Sequence, residues 1–245
     1  MPTAAALRSE WLKIMSMRSV VGSLAAVFVV TLCITVLVSA AVGRSEARHA
    51  GFDPVFGAFH AVNFGQIAAI AFGTLVVSAE YANGALRTSL AAVPDRSRFY
   101  AAKMALVAGP VLAVGLVTGF VSFLAGQAFM GEYAMGLGHP GVLRACVGSA
   151  VYLALMALLA AGLTTLFRSG VAVLSLLIPF VLIVSFVLGD VAEGIAAYLP
   201  DRAGQLVIRA RPTGSLGPWT GLAVTAGWAA TAVLAGRWAL LRRDA

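Results

Sequence analysis

The sequence predicts an all-α membrane protein with an N-terminal interfacial helix, six transmembrane helices and both termini in the cytoplasm. Three observations predict this class: long stretches without charge, an apolar composition and an uneven distribution of basic residues. A helix rises about 1.5 Å per residue, so roughly 20 residues cross a hydrocarbon core of about 30 Å. Six charge-free stretches of 21 to 28 residues reach that length, at 19–43, 54–79, 104–131, 145–167, 169–189 and 212–236. Runs this apolar predict helices rather than the alternating strands of a barrel.

The composition agrees with a single membrane domain. Hydrophobic residues make up 60% of the chain and charged residues 11%, against about 25% charged in soluble domains. Six spans within 245 residues leave no room for a separate soluble domain, so we expect residues 1–245 to form one transmembrane domain. Cys33 and Cys146 lie in predicted spans without a CxxC motif or a Cys/His cluster. We therefore expect neither a disulfide framework nor a metal site.

The basic residues predict the orientation. The side that holds both termini and segment 80–103 carries 11 basic residues against 4 acidic ones. The opposite side carries six basic residues against six acidic ones. The positive-inside rule makes the basic side cytoplasmic. The net charge of +7 is thus a topology signal, and we expect no nucleic-acid partner.

Residues 1–18 predict an amphipathic helix in the headgroup plane. Leu7, Trp11, Ile14 and Met15 share one face at helical spacing, while polar residues such as Glu10 and Lys13 occupy the other. The alternative is a disordered basic tail. The tryptophan favours the helix, because tryptophan is enriched at membrane interfaces.

Segment 80–103 predicts a second amphipathic helix, between spans two and three. Asn83-Gly84 is a turn signal, Leu86, Leu90 and Val93 form an apolar stripe, and Pro94 ends the helix. Such a helix suits docking into a groove on another protein. An interfacial loop whose arginines contact lipid phosphates is an equal alternative.

Segment 190–211 is the longest outer connection. Val191, Ile195, Tyr198 and Leu199 form an apolar stripe ahead of Pro200, which predicts a short helix. Its apolar face either dips back among the spans or lies on lipid.

The predicted spans contain no Asp, Glu, Lys or Arg. Ion-coupled carriers keep ionisable residues inside the membrane, so an ion-coupled secondary carrier is the weaker alternative. Asn63 and Gln66 are candidates for a substrate path near the outer mouth, although such residues more often form hydrogen bonds between helices. We find neither a GxSG-like serine loop with a partner histidine nor a Walker A pattern. We therefore predict no catalytic residues and no cofactor-binding residues.

Two short motifs resemble those of a known family. Residues 9–13 read Ser-Glu-Trp-Leu-Lys and are followed by Arg-Ser at 18–19, before span one. Residues 80–88 read Glu-Tyr-Ala-Asn-Gly-Ala-Leu-Arg-Thr and lead into Ala-Ala-Lys at 101–103. In sequence and position relative to the spans, these motifs resemble bacterial ABC-2 type permeases, the six-helix membrane subunits of ABC exporters. Ala85 departs from the pattern, since threonine is common there.

The resemblance implies a permease subunit driven by a separate cytoplasmic ATPase, which would hold the ATP and magnesium. It also implies pairing with a second copy or a homologous permease, and contact with membrane lipid. Segment 80–103 would carry the coupling helix, with the contact residues Glu80, Tyr81, Gly84, Leu86, Arg87, Thr88 and Leu90. The expected cargo is a small lipophilic or amphipathic compound, such as a drug, antibiotic or lipid. A non-transporting immunity or anchor protein stays open as an alternative.

The usage of 15 arginines against 2 lysines, with much Ala, Gly and Val, is typical of a high-GC bacterium. We therefore expect the chain in a bacterial plasma membrane.

Overall fold

The computed structural model describes residues 3–49, 51–82, 85–92, 95–184, 187, 193–210 and 215–242. These residues form helices and short connections, with no strand in the described ranges. The helices are α1 Thr3–Ser16, α2 Arg18–Val38, α3 Pro54–Phe59, α4 Val62–Tyr81, α5 Ala85–Ala92, α6 Arg96–Gln127, α7 Val142–Phe167, α8 Gly170–Pro179, α9 Glu193–Ala196, α10 Pro200–Gln205 and α11 Pro218–Arg242. The predicted all-α class is thereby confirmed.

Five helices in the described ranges are long and apolar enough to cross a membrane: Arg18–Glu46, which extends α2, together with α4, α6, α7 and α11. The predicted fifth span, 169–189, contains a shorter apolar helix at Gly170–Ile183. Part of its remainder lies outside the described residues. A count of six spans therefore stays a prediction, as does the orientation of the termini.

The starts of α4 and α6 differ from those that the charge pattern predicts. The predicted second span, 54–79, is divided into α3 and α4 at His60. Asp53 starts α3 by accepting hydrogen bonds from the backbone N–H groups of Val55 and Phe56. Asp95 caps α6 in the same way, so α6 begins eight residues before the charge-free stretch at 104. Lys103 consequently belongs to a helix rather than to a loop.

Helix α7 is the centre of the bundle and packs against α4, α6 and α11. Small residues allow these helices to approach closely: a Cβ atom added to Gly162 would lie 2.5 Å from the carbonyl carbon of Ala232 on α11. Helix α7 ends at Arg168, whose φ of 54° places it in the left-handed region. Ser169 then caps α8, its Oγ accepting from the N–H of Ala172 at 3.2 Å. The chain thus reverses within two residues.

Helix α1 is present where the pattern predicts it, and one residue of its predicted polar face is buried. Ile14 packs into the bundle, Trp11 and Met15 are exposed, and Glu10, assigned to the polar face, is buried. The side chain of Leu7 lies outside the described residues. The burial of this carboxylate follows from its ion pairs with Lys13 and Lys103.

The connection before α11 returns to the bundle through α10 and the residues that follow it. Val207 and Ile208 are fully buried, and the hydroxyl of Thr225 on α11 donates to the carbonyl of Pro200 at 2.7 Å. Tyr198, predicted for the apolar stripe, is exposed, and Val191 lies outside the described residues. The side chain of Ile195, also predicted for that stripe, lies outside them too.

Candidate functional site

Four charged side chains meet where α1, α4 and α6 converge beside α5. The ammonium of Lys103 lies 2.7 Å from Oε1 of Glu80 and also contacts the carboxylate of Glu10. Lys13 contacts Oε1 of Glu10 at 2.7 Å and Oε1 of Glu80 at 3.5 Å. We call these four residues, together with Ser89, the charge network. Two ammonium groups balance two carboxylates, so its formal charge is zero.

Most of the charge network is removed from solvent. The side chains of Lys103, Glu80 and Glu10 are 5%, 7% and 8% exposed, whereas that of Lys13 is 44% exposed. Burying one unpaired charge costs several kcal/mol, so such groups persist only when each has a partner. The Lys103 ammonium also lies 5.4 Å from the centroid of the Phe99 ring, one turn earlier on α6.

The pKa values of Glu10 and Lys13 on α1 show that these ion pairs outweigh the effect of burial. Burial acts to raise the pKa of the Glu10 carboxyl, but the Lys103 and Lys13 ammonium groups outweigh it and hold that pKa below its ordinary value. Burial likewise acts to lower the pKa of Lys13, and the carboxylates of Glu10 and Glu80 outweigh it and raise that pKa. Both groups are therefore charged at neutral pH.

Ser89 joins the loop helix α5 to the charge network. Its hydroxyl accepts a hydrogen bond from Lys13 Nζ at 2.8 Å and donates one to Oε2 of Glu80 at 2.8 Å. Leu86 is buried one turn before it, whereas Arg87 and Thr88 are exposed. Helix α5 therefore has one face attached to the bundle and one face turned outward.

The predicted coupling residues lie at the end of α4 and on α5, and they differ in burial. Glu80 and Leu86 are buried, and Leu90 is half-buried against the core. Tyr81 is half-buried, its hydroxyl donating to the carbonyl of Thr165 at 3.4 Å. Gly84 lies outside the described residues.

Sequence reasoning did not assign Glu10, Lys13, Ser89 or Lys103 to a site. One signal was available: Lys13 and Lys103 are the two lysines of a chain whose other 15 basic residues are arginines, and both lie in the charge network. Within the charge network, Lys103 contacts Glu10, which lies 93 positions earlier in the chain. A local sequence pattern cannot report such a contact.

A cavity of about 1270 Å³ lies at the other end of α4. Asn63 and Gln66, the predicted path residues, both line it. Both residues are in the first turns of α4, whereas Glu80 is in its last turn. At a helix rise of about 1.5 Å per residue, the cavity and the charge network are some 20–25 Å apart along α4. The walls of the cavity include parts of two π-helical segments, Ser39–Gly43 and Phe180–Val184. Such segments often mark functional sites in helices.

Gln66 connects the cavity to the core. Its Oε1 accepts a hydrogen bond from the hydroxyl of Tyr152 on α7, and that hydroxyl accepts one from Nε2 of Gln205 at 3.3 Å. Asp53 also lines the cavity. Its Oδ1 caps α3, and its Oδ2 accepts a hydrogen bond from the N–H of Ala210 at 2.9 Å. The described residues contain no group of three or more His, Cys, Asp or Glu side chains arranged to hold a metal ion.

Comparison with known proteins gives one match. A family model described as ABC-2 family transporter protein matches residues 6–186, which include the charge network, α5 and the first turns of α4. Searches of curated proteins and of solved structures returned no match.

Proposed function

Since the chain belongs to the ABC-2 family of transporter proteins and is a membrane permease of an ABC transporter, we propose that it is the permease of an ATP-driven exporter. In this proposal it has six spans, lies in a bacterial plasma membrane with both termini in the cytoplasm, and pairs with a second copy or a homologous permease. A separate ATPase subunit binds ATP and magnesium and supplies the energy. The cargo is a small lipophilic or amphipathic compound.

The observation that carries the proposal is the two-faced arrangement of α5. Its outward residues Arg87 and Thr88 offer a charged and a polar group to a partner, and electrostatic complementarity fixes the register of such contacts. Its inward residue Ser89 is hydrogen-bonded into the charge network. A displacement of α5 by an ATPase therefore acts directly on groups that belong to the spans.

The charge network supplies the route for that displacement. Ser89 acts on Glu80 at the end of α4, and Glu80 acts on Lys103 in α6. Lys103 in turn acts on Glu10 of the interfacial helix. Buried charge pairs resist separation, because each partner left alone is costly. We expect α1, α4, α5 and α6 to move as one unit at this end.

Co-purification and coupled hydrolysis test the proposal. The chain, extracted gently from its native membrane, should retain a Walker-type ATPase, and the complex in proteoliposomes should hydrolyse ATP faster than the isolated ATPase. Arg87→Glu should remove most of this stimulation, because it reverses a charge on the outward face of α5. Arg242→Glu reverses an exposed charge on α11 and is the matched control, which should keep the stimulation.

Three outcomes would contradict the exporter. Failure to recover any ATPase would remove the energy source. Transport that persists without ATP but stops when the proton gradient is dissipated would indicate an ion-coupled carrier. A stable ATPase complex that moves no compound would favour an immunity or anchor role.

A further inference from the structure

The carboxamide side chains of this protein are gathered in one place. The sequence contains five Asn and Gln residues, and four of them, Asn63, Gln66, Gln127 and Gln205, line the cavity at the first turns of α4. They come from α4, α6 and α10, so only the fold brings them together. A chain that is 60% hydrophobic thus places nearly all of its amide groups around a single space.

Each of these amides uses one end within the protein. The Oε1 atoms of Gln66 and Gln127 accept from the Tyr152 hydroxyl and from the N–H of Met135. The Nδ2 of Asn63 donates to the carbonyl of His60 at 2.9 Å, and Nε2 of Gln205 donates to the Tyr152 hydroxyl. These bonds fix the orientation of the amides.

The opposite ends make no hydrogen bond to any residue in the described ranges. They comprise two donors, Nε2 of Gln66 and of Gln127, and two acceptors, Oδ1 of Asn63 and Oε1 of Gln205. A hydroxyl group both donates and accepts, whereas a carboxylate only accepts and an ammonium only donates. A neutral ligand with several hydroxyls satisfies such a mixed set, whereas an ion of either sign satisfies only one half of it.

The remaining lining fits a neutral ligand with an apolar part. Phe52, Phe56 and Phe64 supply aromatic surface. The charged lining residues carry both signs: Glu46, Asp53, Asp201, Arg202 and Arg209. Asp53 already accepts from three backbone N–H groups, and the guanidinium of Arg209 lies 4.8 Å from the centroid of the Phe56 ring. The cavity therefore offers no field of one sign to a charged ligand.

We propose that this cavity binds a neutral polyhydroxylated amphiphile, in which a sugar or polyol group is carried on an apolar chain or ring. The four carboxamides contact its hydroxyls, and the phenylalanine rings contact its apolar part. The volume of about 1270 Å³ exceeds the roughly 300–1,000 Å³ of common ligand pockets, so it accommodates both parts. This inference rests on the proposed exporter, to which it adds the class of compound carried.

Three probes with the same alkyl chain test the headgroup: octyl glucoside, octyltrimethylammonium and octyl phosphate. Binding to the full chain in phosphatidylcholine nanodiscs is measured by calorimetry, and the signal of empty nanodiscs is subtracted. We expect octyl glucoside to bind about tenfold more tightly than either charged probe, since lost hydrogen bonds each change affinity several-fold. Equal binding of the three probes, or a preference for a charged one, would overturn the proposal.

Variants locate the binding. Gln127→Leu and Asn63→Leu should each weaken octyl glucoside about fivefold to tenfold, because each removes one amide from the cavity wall. Asn63→Asp should shift the preference towards octyltrimethylammonium, and this gain is independent of any loss of folding. Thr231→Leu, a polar-to-apolar change at an exposed site on α11, is the control. Unchanged binding in all three cavity variants would refute the site.

The source of the hydroxylated group is decided by competition. Nanodiscs that contain a glucosyl diacylglycerol should displace octyl glucoside if a membrane glycolipid is the occupant, and leave it bound if a free amphiphile is. These measurements need no ATPase. A protein that recovers its ATPase but shows no glucoside preference refutes this site and leaves the exporter standing, and the reverse result refutes the exporter alone.

Discussion

The ammonium nitrogen of Lys103 lies 2.7 Å from Oε1 of Glu80, although the two residues are 23 positions apart and belong to different helices. Both side chains are almost fully buried. This pair joins the end of α4 to the second turn of α6, and α5 lies in the connection between these helices. A partner that moves α5 must therefore also disturb the ion pair between Glu80 and Lys103.

The first prediction concerns the difference between the two lysines. Lys103→Met should lower the free energy of unfolding by about 3–5 kcal/mol, because it leaves two buried carboxylates with one half-exposed ammonium. Lys13→Met should cost about 1 kcal/mol or less, because that side chain is 44% exposed and solvent screens its charge. Thermal unfolding in detergent micelles compares the two. Equal losses would contradict the assignment of Lys103 as the buried centre.

A second prediction concerns pH. The folded-state pKa of Glu10 is below its ordinary value of 4.5, so its stabilisation is present above about pH 4.5 and is lost as the pH falls through that lower pKa. The folded-state pKa of Lys13 is above its ordinary value of 10.5, so its stabilisation is present below about pH 10.5 and is lost as the pH rises through that higher pKa. The melting temperature should fall at both extremes, and Glu10→Gln should reduce the acid-side fall. An unchanged acid limb in this variant would show that Glu10 is not the responsible group.

A third prediction uses two glycines with opposite surroundings. Gly162→Ala should destabilise the protein by about 1–3 kcal/mol, because the added Cβ would lie 2.5 Å from the Ala232 carbonyl carbon and force α7 and α11 apart. Gly227→Ala on α11 has nothing within 4 Å and should be neutral or stabilise the helix by up to about 1 kcal/mol. Thermal unfolding of both variants in the same detergent checks this. A stable Gly162→Ala protein would mean that the two helices pack less closely.

A fourth prediction separates a helix cap from a tertiary contact at Asp53. Asp53→Ala should cost about 1–2 kcal/mol or more, because it removes the cap of α3 and the hydrogen bond to Ala210. Asp53→Asn should keep the cap, since asparagine is an equally good cap, but lose the hydrogen bond to Ala210, because an amide nitrogen cannot accept. Its stability should therefore lie between those of the wild type and Asp53→Ala. Asp95→Ala removes the cap of α6 and an exposed ion pair with Arg98, which contributes little, and should cost less than Asp53→Ala. Melting temperatures rank the three variants, and a larger loss at Asp95 would contradict the role given to Ala210.

The cavity and the charge network were predictable from the sequence to different degrees. Asn63 and Gln66 stand out as polar residues in an apolar span, and both line the cavity at the first turns of α4. Gln127 also stands out as a polar residue in a predicted span, but nothing in the sequence places it beside Asn63, and Gln205 lies outside the predicted spans. Both join the cavity only because α6 and α10 reach it. At the other end Glu80 was a predicted site residue, but its partners Glu10 and Lys103 were assigned to solvent-facing segments. Charge next to a span indicates an exposed side chain unless a partner of opposite charge is known.

The sequence by itself determined that this chain is helical and crosses a membrane, because the absence of charge over 21 to 28 residues is a local property that lipid imposes on each span separately. The apolar stripe of Leu86, Leu90 and Val93 likewise predicted a loop helix, and α5 is present at Ala85–Ala92, since helical periodicity acts within a few residues. Only the tertiary structure decided which charges are buried and which amides meet. The reason is physical: the charge network and the amide-lined cavity depend on distances between helices that are far apart in the chain, and these are set by side-chain packing around α7.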